Sequence, residues 1–153
     1  MKEKVLKALL NLGFQLEQSE IGYMFDYEGM HYLYMPNDSD EAFLSISIPM
    51  FYHHNEDNTA VCCILAESLN SELKYLKVYT LGDSLWLFYE RYVFDDDDLE
   101  QLIPHMILSL DGGLKLARKR ADKIEADFAN DDEKDDTVEV ETNDIEVVDD
   151  NEN

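Results

Sequence analysis

The hydrophobic period of this chain changes four times within its first 125 residues, and these changes restrict its possible folds more than any other feature. Lys2 to Leu12 places Val5, Leu6, Leu9 and Leu12 on one helical stripe, and Gly13 follows as a left-handed helix stop. From Phe14 the period drops to two. Phe14 and Leu16, then Tyr23, Phe25 and Tyr27, then His31, Leu33 and Met35 alternate as strand residues do, with Glu28-Gly29 as a hairpin turn. After the polar loop Pro36 to Asp40, Leu44, Ile46 and Ile48 alternate with Phe43, Ser45 and Ser47 until Pro49, which is expected to end the strand.

Helical spacing returns at Val61, Cys62, Leu65, Leu69 and Leu73, with Asn58 or Asp57 as the expected cap. Lys74 to Leu81 and Ser84 to Phe94 alternate about a Gly82-Asp83 turn, with Leu76 and Val78 facing the same way as Leu85, Leu87 and Tyr89. The acidic run Asp95 to Asp98 suits the positive end of a third helix carrying Leu99, Leu102, Ile103, Met106, Leu110, Leu114, Ala117 and Ile124. Asp111-Gly112-Gly113 predicts a kink or break within it.

Together these segments predict an α+β domain over residues 1–128: helix, three-stranded antiparallel meander, helix, two-stranded hairpin and long C-terminal helix. Residues 129–153 hold twelve acidic residues, one lysine and no aromatic, which predicts a disordered acidic tail.

Charge narrows the partners. A formal net charge of -23 would repel a phosphate backbone and an anionic membrane surface, so neither a nucleic-acid nor a membrane partner is expected. Neighbouring Cys62 and Cys63 do not have the spacing of a disulfide framework or a zinc site, and the N-terminus lacks a signal-peptide pattern. A cytoplasmic location is expected.

Candidate chemistry is thin. His53-His54-Asn55-Glu56-Asp57 groups imidazoles with carboxylates, but adjacent residues of an extended chain point to opposite sides, and a polar loop before the second helix is the simpler reading. Cys62 and Cys63 lie in a first helical turn where a thiol can be activated, yet no Cys-His-Asn or Cys-His-Asp set accompanies them. Asp95 to Asp98 lacks the alternating ligands of a calcium loop, and no phosphate-binding glycine motif or nucleophile elbow occurs. No catalytic residue, metal ligand or cofactor is assigned. In the tail, Ile145-Glu146-Val147-Val148-Asp149-Asp150 resembles a SUMO-interaction motif, with a solubilising acidic tail as the default.

Aromatic placement is more informative. Tyr32, Tyr34, Phe43, Trp86, Phe88 and Tyr92 fall opposite the strand residues assigned to the core, so a sheet covered by helices on one side would turn them outward. Tyr34, Phe43, Trp86, Phe88 and Tyr92 are therefore the expected partner-binding residues.

The order of elements resembles the fold shared by type III secretion chaperones and the YbjN-like sensory-transduction-regulator proteins. Ala66-Glu67-Ser68-Leu69-Asn70 followed by Leu76-Lys77-Val78-Tyr79 is similar to the helix-to-strand junction of the YbjN-like group, as is the hairpin leading to Leu99-Glu100-Gln101-Leu102-Ile103. The resemblance covers residues 1 to about 125, and the acidic tail departs from it. It implies an acidic, non-enzymatic, often dimeric protein whose sheet and helices hold an extended segment of another protein. The expected function is thus a chaperone-like or regulatory protein-interaction module that forms a homodimer through its sheet or second helix. The alternative is a small-molecule binder or enzyme with a site between sheet and helix, drawing on His31, His53, His54 or His105.

Overall fold

The protein is described from a computed structural model, which covers the backbone of residues 1–135 and the side chains of residues 1–130. The chain runs α1 (Lys2–Asn11), β1 (Glu17–Gln18), β2 (Tyr23–Tyr27), β3 (Met30–Tyr34), β4 (Phe43–His53), α2 (Thr59–Glu72), β5 (Leu76–Leu81), β6 (Ser84–Tyr92) and α3 (Leu99–Asp135). The strands form one antiparallel sheet in the order β1-β2-β3-β4-β6-β5. The expected α+β layout is present, with the two-residue β1 added at one edge.

Among the described residues, helices cover one side of this sheet only. Val5 and Leu9 of α1, Leu65 and Leu69 of α2, and Ile103, Met106, Leu110 and Leu114 of α3 share one core with Leu44, Ile46, Ile48, Leu85 and Leu87. Three helical stripes thus meet one face of the pleat. Polar side chains tie α3 to its neighbours at their margins: Arg120 donates to Glu72 at 2.5 Å and to Ser68 of α2, and Tyr52 of β4 donates to Glu125.

Four expectations need correction. Pro49 lies inside β4 and does not end it, because the strand is irregular there: Ile48 pairs with Leu87 and Tyr52 with Leu85, leaving Pro49, Met50 and Phe51 opposite Trp86 alone. At such a bulge the missing proline N–H removes no regular ladder bond. Second, α3 passes through Gly112-Gly113 without a break. A Cβ on Gly113 would stand 2.6 Å from Leu76 Cδ1 and 3.2 Å from Leu87 Cδ2, so this glycine lets the helix approach the sheet closely.

Third, Asn58 precedes α2 but makes no side-chain cap bond to the helix N–H groups. Its carboxamide instead donates to the His53 carbonyl and accepts from the Asn55 N–H, closing the loop before the helix. Fourth, Tyr32 and Tyr34 point into the helix-covered core. They are 0% and 1% exposed, and Tyr34 packs beside Tyr23 as Tyr32 does beside Phe25. The Glu28-Gly29 turn, with φ of 51° and 77°, makes Phe25 and Tyr32 direct partners, and likewise Tyr23 and Tyr34. Direct partners in a ladder share a face, so these tyrosines follow Phe25 and Tyr23 inward.

α3 continues past residue 128 to Asp135. The SUMO-like stretch 145–150 and most of the expected tail lie outside the described residues. Among the described residues no helix is long and apolar enough to cross a membrane.

Candidate functional site

Alternation along the strands puts the remaining side chains on the helix-free face. One row crosses the whole sheet through direct partners: Glu17, Met24, Leu33, Ser47, Phe88 and Lys77. Leu33, Trp86 and Phe88 form a second apolar cluster, flanked by Met24 and Met35 and containing no helical residue. Tyr79 stacks on Phe88 at 4.3 Å with the rings 2° from parallel, and Trp86 lies 6.0 Å from Phe88. Although no helix covers them, Trp86 and Phe88 are only 7% and 1% exposed. Neighbouring side chains of the same sheet supply that cover.

Of the five expected partner-binding residues, four share this face. Trp86 and Phe88 sit together. Phe43 and Tyr92 are cross-strand partners with ring centroids 5.6 Å apart, separated from Phe88 by about 13 Å along the strand, given about 3.3 Å per residue. Tyr92 is 52% exposed. Tyr34 belongs to the opposite face, as described above, where burial pushes its phenol up to about 12, with the nearby Tyr23 and Asp38 adding to the shift. The face also includes Tyr79, Leu33, Met24 and Met35, which aromatic content alone does not single out.

Beside Trp86 the bulged β4 and the β1–β2 turn enclose an apolar recess of about 320 Å³, lined by Ser19, Glu20, Ile21, Met24, Leu33, Pro49, Met50 and Trp86. Met50 is 64% exposed and holds φ at 48°, a left-handed conformation that costs a non-glycine residue roughly 1–3 kcal/mol. The Trp86 Nε1 and Ser47 Oγ atoms are buried on this face without a hydrogen-bond partner. Such a group costs about 1–3 kcal/mol relative to a satisfied one. Tyr32 Oη, on the helix-covered face, is likewise buried without a partner among the described residues.

Charge is also divided between the faces. Eleven of the twelve Lys and Arg residues lie in α1, in the loop before β5, beside Asp97, or in α3. Among the described residues only Lys77 stands on the helix-free face, where its ammonium bonds Glu90 at 2.9 Å and is held above its ordinary pKa by that bond. Ser45 also donates to Glu90, at 3.3 Å. Glu17, Glu20 and Asp26 have no Lys or Arg against them among the described residues; Asp26 meets His31 at 2.5 Å.

The sheet edges are less open than the face. The Asn70 carboxamide donates to the Val78 carbonyl at 2.8 Å and accepts from the Val78 N–H at 2.7 Å, standing in for a neighbouring strand along β5. The opposite edge, β1, is two residues long.

The four histidines are spread through the fold. His31 is exposed with Asp26, His54 Nε2 meets Thr59 Oγ1 at 3.3 Å, the His53 carbonyl accepts from Asn58, and His105 stands edge-on to Tyr89 at 6.3 Å. Asn55 and Asn58 organise the loop that contains the paired histidines. Cys62 is buried, and burial pushes its thiol up, away from the thiolate a nucleophile needs. Asp98 and Asp97 are occupied locally: Asp98 accepts from the Glu100 N–H at 3.0 Å, and Asp97 from Arg91 and the Phe94 N–H. Among the described residues there is no group of three or more His, Cys, Asp or Glu side chains placed to hold a metal ion.

Comparison with known proteins agrees with this architecture. The structure of YbjN from E. coli, described as a candidate transcription regulator, is similar over 75% of this chain and 86% of that one, with 11% identity and a TM-score of 0.54. An uncharacterized protein from Methanothermobacter thermautotrophicus is similar over 83% of this chain and 98% of that one, with 14% identity and a TM-score of 0.53. No family model matches the sequence, and no curated protein matches it significantly. At these identities the similarity is one of fold: the chain has a YbjN-like fold.

Proposed function

We propose that this YbjN-like fold serves as a non-enzymatic, chaperone-like or regulatory protein-interaction module that holds a segment of a partner protein on the helix-free face of its sheet. The observation that carries this reading is the aromatic cluster of Trp86, Phe88 and Tyr79, which lies beside an apolar recess with no helix above it. The exposed part of this surface is Tyr79, Tyr92, Met50 and Ile21, which surround the buried Trp86 and Phe88; exposed apolar surface framed by polar residues is the usual signature of a docking surface. Asn70 on β5 and the shortness of β1 favour the face over edge pairing as the docking mode.

Phe43 and Tyr92 extend the surface, while Tyr34 supports it from the core. Self-association through the same face, or through α2, would compete with or accompany partner binding. The acidic surface disfavours a nucleic-acid partner.

The test is affinity capture with tagged full-length protein from its native cells, followed by hydrogen exchange on the captured complex. A near-stoichiometric partner that protects β4 and β6 is expected. A protein recovered alone, or a partner that leaves these strands unchanged, would overturn the reading. Protection that falls on dilution of the isolated protein would identify a second copy as the occupant.

A further inference from the structure

From the division of charge between the two faces, we propose that the recess beside Trp86 receives an apolar side chain from a partner segment whose flanking residues are Lys or Arg. This rests on the reading of the helix-free face as a docking surface and adds the chemistry of the occupant.

Three observations converge on it. The recess is apolar, and the exposed Glu20 is among the residues that line it. Glu17 is the direct ladder partner of Met24, which lines the recess, and Asp26 follows two residues later on the same face of β2. Lys77, the one Lys or Arg on this face among the described residues, is already bonded to Glu90. Carboxylates on the same face as a low-dielectric hollow make the potential beside it negative, which attracts cations and repels anions.

A second copy of this chain meets these requirements poorly, since it would bring Glu17, Glu20 and Asp26 against their own counterparts and one strongly acidic chain against another. A segment with an apolar centre and cationic ends satisfies both the hollow and its rim. Its backbone carbonyls would also be the acceptors that the indole N–H of Trp86 lacks, once Met24 and Met50 shift as flexible side chains can.

The experiment is selection of a random peptide display library on the full-length protein and on a full-length Glu17→Lys/Glu20→Lys/Asp26→Lys variant. Binding of the winners is followed by emission of Trp86, the sole tryptophan. The wild type is expected to enrich peptides with Lys or Arg around an apolar centre that shift Trp86 emission. Their affinity should fall about tenfold or more in the variant, which should select acidic flanks although the protein as a whole stays acidic.

Apolar peptides that shift Trp86 emission without Lys or Arg enrichment, or without response to the charge reversal, would overturn this inference and leave the docking surface standing. Winners that never perturb Trp86 would remove the docking surface itself. Loss of peptide binding together with dimer formation at working concentration would give the face to a second copy and overturn the inference.

Discussion

Two faces of one sheet bury aromatic side chains to nearly the same degree by different means. Tyr34 and Trp86 are 1% and 7% exposed. Tyr34 is in the core that the sheet shares with the helices, whereas Trp86 and Phe88 are enclosed by Leu33, Met24, Met35 and Tyr79 of the sheet itself. The first kind of burial depends on the helices packed over the sheet. The second comes from side chains of the sheet itself and sits beside an irregular strand and a strained Met50. Low exposure therefore does not distinguish a structural residue from one poised at a surface; the identity of its cover does.

This difference can be broken first on the helix side. Leu87→Ala removes a fully buried side chain beneath α3 and is expected to cost about 2–5 kcal/mol in urea unfolding. Met50→Ser, at the recess, should change stability by less than about 0.5 kcal/mol, or raise it if the bulge relaxes. Equal losses would mean that the bulged rim is structural.

Adjacent glycines provide a sharper version. Gly113→Val forces atoms into Leu76 and Leu87 and should cost about 1–3 kcal/mol. Gly112→Ala meets nothing within 4 Å and should raise the melting point, since alanine exceeds glycine in a helix by about 0.5–1 kcal/mol.

The edge responds to Asn70→Ala, which leaves the Val78 N–H and C=O without their carboxamide partner and should cost about 1–2 kcal/mol. Concentration-dependent association of that variant, read by light scattering, would show that Asn70 guards the edge against strand pairing.

Alkaline titration reads the buried tyrosines. The Tyr34 phenol rises from 10.0 to about 12 mainly by burial, so between these values the unfolded chain loses its proton first. Stability contributed by neutral Tyr34 is full below pH 10 and declines toward about 12, which urea midpoints across this range would follow. Tyr32 and Tyr52 are also raised, mainly by burial, and share in the decline, so Tyr34→Phe should lessen it without abolishing it, while Tyr92→Phe, at an exposed phenol raised by Asp40, should change it least.

Much of the helix-covered face is legible in the sequence, because the stripes of α1, α2 and α3 and the alternation of β4, β5 and β6 each bury the aliphatic side. The face of β3 is harder to assign. Its aliphatic residue Leu33 points away from the helices, while Tyr32 and Tyr34 point toward them. Alternation within one strand gives two faces without saying which is inside, but the two-residue Glu28-Gly29 loop aligns β3 with β2 and settles it.

For the candidate site, Phe43, Trp86, Phe88 and Tyr92 are readable from β4 and β6 alone. The recess is not, since it depends on a bulge spanning Pro49 to Phe51 and on a turn far away in sequence. Nor is the segregation of charge, which appears only when the faces are assigned.

The central claim is that the helix-covered face holds the fold and the helix-free face holds the partner. Phe43 and Tyr92 test it most directly, because Tyr92 is exposed and Phe43 only half-buried, whereas truncating buried Trp86 would itself cost stability. The measurement is partner retention by full-length Phe43→Ser/Tyr92→Ser protein, with its urea midpoint taken on the same sample. Loss of most of the partner at a nearly unchanged midpoint is the predicted result; full retention of the partner, or a midpoint that falls in step with it, would contradict the account.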